Sequence, residues 1–177
     1  MLKIIAKAAI KYEFSSTQID FPLNIAKRII SWGKNNIPDS DIYDEEAKYG
    51  RENEIHCTIK YGLHTNDIRK IQNKVKEFGK FNIELGEISR FVPKEKDYDV
   101  VKIAVEGDRL HNLNDILSEL ENSDKFTCYK PHVTIAYINK GTNSNLSGLR
   151  PFDGEKISVS EITFSPKTGS KETVSIF

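Results

Sequence analysis

An α+β fold of two similar lobes facing one cleft is what this sequence predicts, and three observations carry the prediction. Segments with apolar residues on every second position, the strand period, alternate with segments that carry them at helical spacing. Residues 2–62 and 98–138 each run strand, helix, strand. Each run closes on a strand bearing His-x-Thr. At 177 residues the chain fits one domain spanning 1–177, long enough to bury a core, and no linker interrupts it.

Taken in order, Leu2, Ile4, Ala6, Ala8, Ile10, Tyr12 and Phe14 alternate and predict a first strand over 2–14. Leu23, Ala26, Ile29 and Ile30 predict a helix within 21–35, with Pro22 in its first turn and Gly33 where it stops. The polar stretch 36–53, with Pro38, Asp39, Asp41 and Gly50, reads as loop, and 54–62 as strand. Thr65 or Asn66 can cap a helix that carries Ile68, Ile71, Val75 and Phe78 on one face and ends at Gly79. Phe81, Ile83 and Leu85 then alternate as a strand, which a hairpin joins to a second at 98–105. Asp108 suits the N-cap of a helix with Leu110, Leu113, Ile116, Leu117 and Leu120, and a strand follows at 131–138. After Asn139 comes a loop rich in Gly, Ser and Asn, and short strands near 157–164 and 172–177 close the chain.

Lys plus Arg and Asp plus Glu both number 26, so no global positive field exists to gather a long polyanion. A small nucleotide fits that balance better than long nucleic acid. Cys57 and Cys128 lack metal-ligand spacing and are too few for a disulfide scaffold, so reduced thiols, and with them the cytoplasm, are expected. Lys3, Lys7 and Lys11 interrupt the opening MLKIIAKAAIKYEF, which reads as neither a signal peptide nor a membrane span, and no membrane partner is expected.

The chemistry sits in two segments, Glu54-Ile55-His56-Cys57-Thr58-Ile59-Lys60-Tyr61 and Lys130-Pro131-His132-Val133-Thr134-Ile135-Ala136-Tyr137, which share His-x-Thr-Ile-x-Tyr. Strand residues two apart share a face, so His56, Thr58 and Lys60 point one way, and Ile55, Cys57, Ile59 and Tyr61 the other. His132 and Thr134 are displayed likewise above Val133, Ile135 and Tyr137. Phosphodiester cleavage needs a base for the attacking oxygen and an acid for the leaving oxygen, roughly in line across phosphorus. Two opposed imidazoles, with an ordinary pKa of about 6.5, supply both near neutral pH. The threonine hydroxyls can donate to the non-bridging oxygens where charge develops, and no metal is required.

Two such motifs, 76 positions apart in matching strand contexts, resemble the signature of the 2H phosphoesterase superfamily, the LigT-like group, a pair of His-x-Ser/Thr motifs on duplicated lobes. The resemblance spans most of the chain. It implies a bilobal fold in which two antiparallel sheets, helices outside, line a central cleft. It implies catalytic roles for His56, Thr58, His132 and Thr134 only. The superfamily holds enzymes acting on 2′,3′-cyclic phosphates, on 2′,5′-linked oligonucleotides, and a viral branch that degrades the cyclic-oligonucleotide signals of the bacterial CBASS defence. A small or cyclic oligonucleotide, cleaved by a monomer without cofactor, is the substrate expected here. An RNA-end 2′,3′-cyclic phosphodiesterase or 2′-5′ RNA ligase-like enzyme is the alternative, and would carry a basic patch extending beyond the cleft. A module that sequesters a nucleotide is a third reading, though it needs no pair of proton-transfer groups. A metal enzyme with His56 and His132 as ligands lacks an accompanying Asp/Glu/His cluster.

Three further residues are candidates for substrate contact, each with a structural alternative. Lys60 can neutralise a phosphate or simply be solvated. Tyr12 can stack on a base or pack in the core beside Ile10. Arg51 lies on a polar loop that can fold over the cleft as a lid. His64 and His111 have no matching partner and read as surface residues.

Overall fold

In a computed structural model, which describes residues 13–45, 49–126, 128–142 and 145–177, the strands join into one sheet rather than two. Eight antiparallel strands, β1 (Ser15–Asp20), β2 (His56–Leu63), β3 (Phe81–Phe91), β4 (Tyr98–Glu106), β5 (His132–Asn139), β6 (Lys156–Val159), β7 (Glu161–Ser165) and β8 (Glu172–Ser175), run in the order β6-β3-β4-β5-β2-β1-β7-β8. Three helices, α1 (Leu23–Asn36), α2 (Ile68–Val75) and α3 (Asp108–Ser118), supply the other layer. Their apolar stripes, among them Ile25 and Ile29, Ile71 and Val75, and Leu110, Leu113 and Leu117, join one core with Cys57, Ile59, Val133 and Ile135 of the central strands. The sheet's other face is left open. No helix among the described residues is long and apolar enough to cross a membrane.

The expectation of two sheets fails at one place, where β2 and β5 meet. They pair antiparallel with Cys57 opposite Val133, and only their first residues overlap. Past that seam each strand finds a different neighbour. The free edge of β5 takes residues on either side of 46–48, through Ile42 opposite Ile138 and Arg51 opposite Ala136, with the Glu52 N–H donating to Ile135 O at 2.9 Å. The matching edge of β2 takes the segment 121–123, through Leu63 opposite Asn122, with the Ser123 N–H donating to Gly62 O at 2.9 Å. The two β-α-β runs thus meet as arms of one sheet, β1-α1-β2 on one side and β4-α3-β5 on the other.

Residues 2–12 of the expected first strand lie outside the described residues, and the strand observed at this end is Ser15–Asp20. Its sequence SSTQID shows no apolar alternation because Ser15, Thr17 and Gln18 are all buried. Hydrogen bonds compensate at two of them, Ser15 Oγ donating to Thr65 O at 2.6 Å and Gln18 Nε2 to Asp20 Oδ1 at 2.5 Å, whereas Thr17 Oγ1 has no partner among the described residues. Asp67, rather than Thr65 or Asn66, caps α2, its carboxylate accepting from the Arg69 N–H.

Gly33 does not stop α1. The helix runs on to Asn36, and Gly33 lies buried within it because a Cβ there would come within 2.7 Å of Ile135 Cγ2 on β5. Gly33→Ala is expected to cost about 1–2 kcal/mol, since overpacking costs about 1–3 kcal/mol and helix propensity returns up to about 1. A fall of several degrees in Tm checks this, and an unchanged or raised Tm would mean that α1 can lift away from β5 without cost.

Candidate active site

The seam that joins the two arms also aligns both motifs. With Cys57 facing Val133, antiparallel pairing sets His56 level with Thr134, and Thr58 level with His132. Two adjacent rows of side chains therefore cross the open face. One runs Ser89, Lys102, Thr134, His56, Asp20 from β3 to β1; the other runs Ala104, His132, Thr58, Gln18, Thr163 from β4 to β7. The histidines stand on the diagonal between the rows, and such neighbours are about 7–8 Å apart, a gap that a phosphate can occupy. All four motif residues are half-buried, while Cys57 and Val133 beneath them are fully buried.

Each imidazole is held the same way. Nδ1 of His56 is 2.6 Å from the carbonyl of Glu54, and Nδ1 of His132 is 2.8 Å from that of Lys130. A carbonyl only accepts, so Nδ1 carries the proton in both rings and Nε2 is left to exchange one with substrate. Burial pushes the His132 pKa below its ordinary value, the bond to Lys130 O opposes that, and the charges of Lys102 and His56 add to the depression. His132 is thereby favoured in the neutral form that accepts a proton.

The fold has solved counterparts. The structure matches TT0787 of Thermus thermophilus with a TM-score of 0.62 and 13% identity, covering 92% of this chain and 97% of that one. It matches E. coli LigT complexed with phosphate with a TM-score of 0.58 and 16% identity over 92% and 97%, and Kluyveromyces marxianus Usb1 with a TM-score of 0.63 and 11% identity over 94% and 99%. The fold is shared with these three proteins. LigT has also been solved with 3′-AMP and Usb1 with uridine monophosphate. No protein-family model and no curated protein matches the sequence.

Within this fold, the residues expected to touch substrate from outside the motifs fare differently. Tyr12 lies outside the described residues. Lys60 does not stay on the open face with His56 and Thr58. Between Thr58 and Lys60, β2 advances two residues while β1 advances one, from Gln18 to Thr17, a β-bulge that breaks the alternation. Lys60 is buried, its Nζ 3.0 Å from the Asp124 carboxylate, and Tyr61 turns outward to 42% exposure instead of backing the motif. Arg51 forms no lid. Its guanidinium donates to the carbonyls of Gly33 and Ile37 at the end of α1 and to Asp39, fastening Arg51 to the helix end where a cation is favoured.

His64 and His111 are not bare surface residues. Nδ1 of His64 is 3.1 Å from Glu121 Oε1, Nε2 is 2.5 Å from Ser123 Oγ, and the ring stacks on Phe14, so it fastens the 121–123 segment to β2. His111 packs edge-on against Tyr129, whose hydroxyl donates to Thr58 O at 3.0 Å. Burial pushes the Cys57 thiol up to about 11, consistent with a packing role, whereas Cys128 is exposed.

Two site residues had no part in the motif reading. Lys102 stands opposite Thr134, and Gln18 opposite Thr58. Lys102 carried a usable signal: it is the lone cation inside the apolar run Val100-Val101-Lys102-Ile103-Ala104-Val105, on a strand paired with a motif strand. Gln18 carried none, because its strand does not alternate.

Proposed function

We propose that the chain is a 2H phosphoesterase, a metal-independent phosphodiesterase that acts on a small or cyclic oligonucleotide by acid/base catalysis from two histidines. The observation that supports it most is the paired anchoring of His56 and His132 by the carbonyls two residues before them, which leaves both Nε2 atoms to exchange protons with a substrate. In the reaction, the scissile phosphate sits between the rings. His132, favoured neutral, takes the proton from the attacking oxygen, which leaves His56 to protonate the leaving oxygen. Thr58 and Thr134 donate to the non-bridging oxygens. A substrate with a 2′-hydroxyl beside a 3′,5′-linkage provides its own nucleophile and ends as a 2′,3′-cyclic phosphate; otherwise water attacks.

Degradation of cyclic-oligonucleotide signals, as in the viral anti-CBASS branch, agrees with the zero net charge. Processing of RNA ends is a second reading, favoured by the likeness to LigT and Usb1, which have been solved with 3′-AMP and uridine monophosphate. The deciding experiment is turnover, in excess EDTA, of cyclic di- and trinucleotides, 2′,5′-oligoadenylate and a nucleoside 2′,3′-cyclic phosphate. Cleavage of at least one member undiminished by EDTA is expected, and the member cleaved names the branch. Binding without cleavage would replace the enzyme by a sequestering module, and loss of activity in EDTA would restore a metal.

A further inference from the structure

The row that carries Thr134 continues away from His56 into a groove of about 420 Å³. Its floor is Lys102, opposite Ser89 of β3, and its walls include Phe91 and, from the segment entering β5, Phe126, Cys128 and Lys130. Lys102 and Lys130 have no carboxylate partner among the described residues. The opposite flank of the histidines differs: Asp20 is level with His56, and Glu54, two residues before His56, is paired with Lys171. An anion extending from the scissile phosphate therefore meets, on the groove side, two cations that no carboxylate among the described residues neutralises. Phe91 and Phe126, 50% and 77% exposed, present apolar faces on that same side.

We propose that this groove takes the nucleotide next to the scissile phosphate, its own phosphate lying on Lys102 and Lys130, so that the substrate is an oligonucleotide with at least two phosphates rather than a single cyclic nucleotide. This rests on the phosphodiesterase reading and chooses a substrate class within it. The groove adjoins the histidines through two backbone links, since Lys102 faces Thr134 and the Lys130 carbonyl holds His132. Burial, and then the neighbouring Lys130, lower the Lys102 pKa, so a second phosphate would relieve a repulsion that the unliganded groove contains.

The test compares binding of adenosine 3′,5′-bisphosphate and 5′-AMP by calorimetry in the wild type, Lys102→Gln and Lys130→Gln. The bisphosphate is expected to bind the wild type about tenfold more tightly, and each substitution is expected to remove most of that advantage while 5′-AMP binding changes less. Position is read from Cys128, since Cys57 is fully buried: the bisphosphate should slow maleimide labelling of Cys128 more than 5′-AMP does. Equal affinities in the wild type, or substitutions that weaken both ligands alike, would overturn the proposal and assign the lysines to the scissile phosphate. The phosphodiesterase reading fails separately, by absence of turnover, and a bisphosphate preference without turnover would keep the subsite in a binding module.

Discussion

Alanine at His56 or at His132 is expected to lower kcat by at least about 100-fold, because a positioned acid or base contributes about 10²–10⁴-fold. Nucleotide binding should survive in both variants, as Thr58, Thr134 and Lys102 remain. The double variant should lose little beyond the worse single one, since groups that act on the same step do not add. Losses that multiply would mean that the histidines work independently, and would sink the acid/base pair. The pH profile separates the roles. Burial lowers the His132 pKa, so the acid limb of kcat/KM should fall below the ordinary imidazole value of about 6.5. Because folding favours the neutral ring, the stability that His132 contributes is full above about pH 6.5 and is lost as the pH drops from there through the folded value. Removing the Lys102 charge should move the limb back toward higher pH.

The second large effect lies beneath the site. Lys60 and Asp124 form an ion pair whose side chains are 7% and 13% exposed, and the other Asp124 oxygen accepts from the Phe126 N–H at 3.0 Å. Lys60→Met leaves that carboxylate buried without its cation. Breaking a buried pair from one side costs about 3–5 kcal/mol, and the low end suits a pair with some residual exposure. For a chain of this size about 3 kcal/mol corresponds to roughly 6–12 °C in Tm. Asp124→Asn placed on the Lys60→Met background should recover part of the loss, because the unpaired charge is gone. A Lys60→Met variant as stable as the wild type would show that Asp124 reaches water. The substitution should also raise KM more than it lowers kcat, since the bond to Phe126 steadies one wall of the groove and touches neither histidine.

The motif pair was fully legible in the sequence because it depends on the shortest-range rule available, that residues two apart on a strand share a face. Most helix and strand placement from residue 54 onward followed from the same periodicities, but the strand expected near 157–164 is two, β6 and β7, which lie toward opposite ends of the sheet, and Gly107 rather than Asp108 is the N-cap of α3. What escaped depends on tertiary packing. Gly33 looked like a stop and is instead a point of close approach, which only Ile135, about a hundred residues away, can reveal. Ser15–Asp20 was passed over because its buried polar residues leave no hydrophobic pattern. Lys60 was placed with the histidines by strict alternation, and a bulge, invisible in one strand's sequence, withdrew it. The two sheets became one because strand pairing at the seam involves residues on both arms, and neither arm's pattern specifies its partner.

The two outermost strands of the described sheet, β6 and β8, are only four residues long, and each carries a charged residue at its start, Lys156 and Glu172. Long flat edges are where sheets recruit other chains into polymers. A protein with 26 charges of each sign has no net repulsion to keep copies apart near neutral pH. Colloidal stability at that pH must then come from brevity at the margins, and lengthening either terminal strand by a few apolar residues would be the quickest route to an aggregating variant.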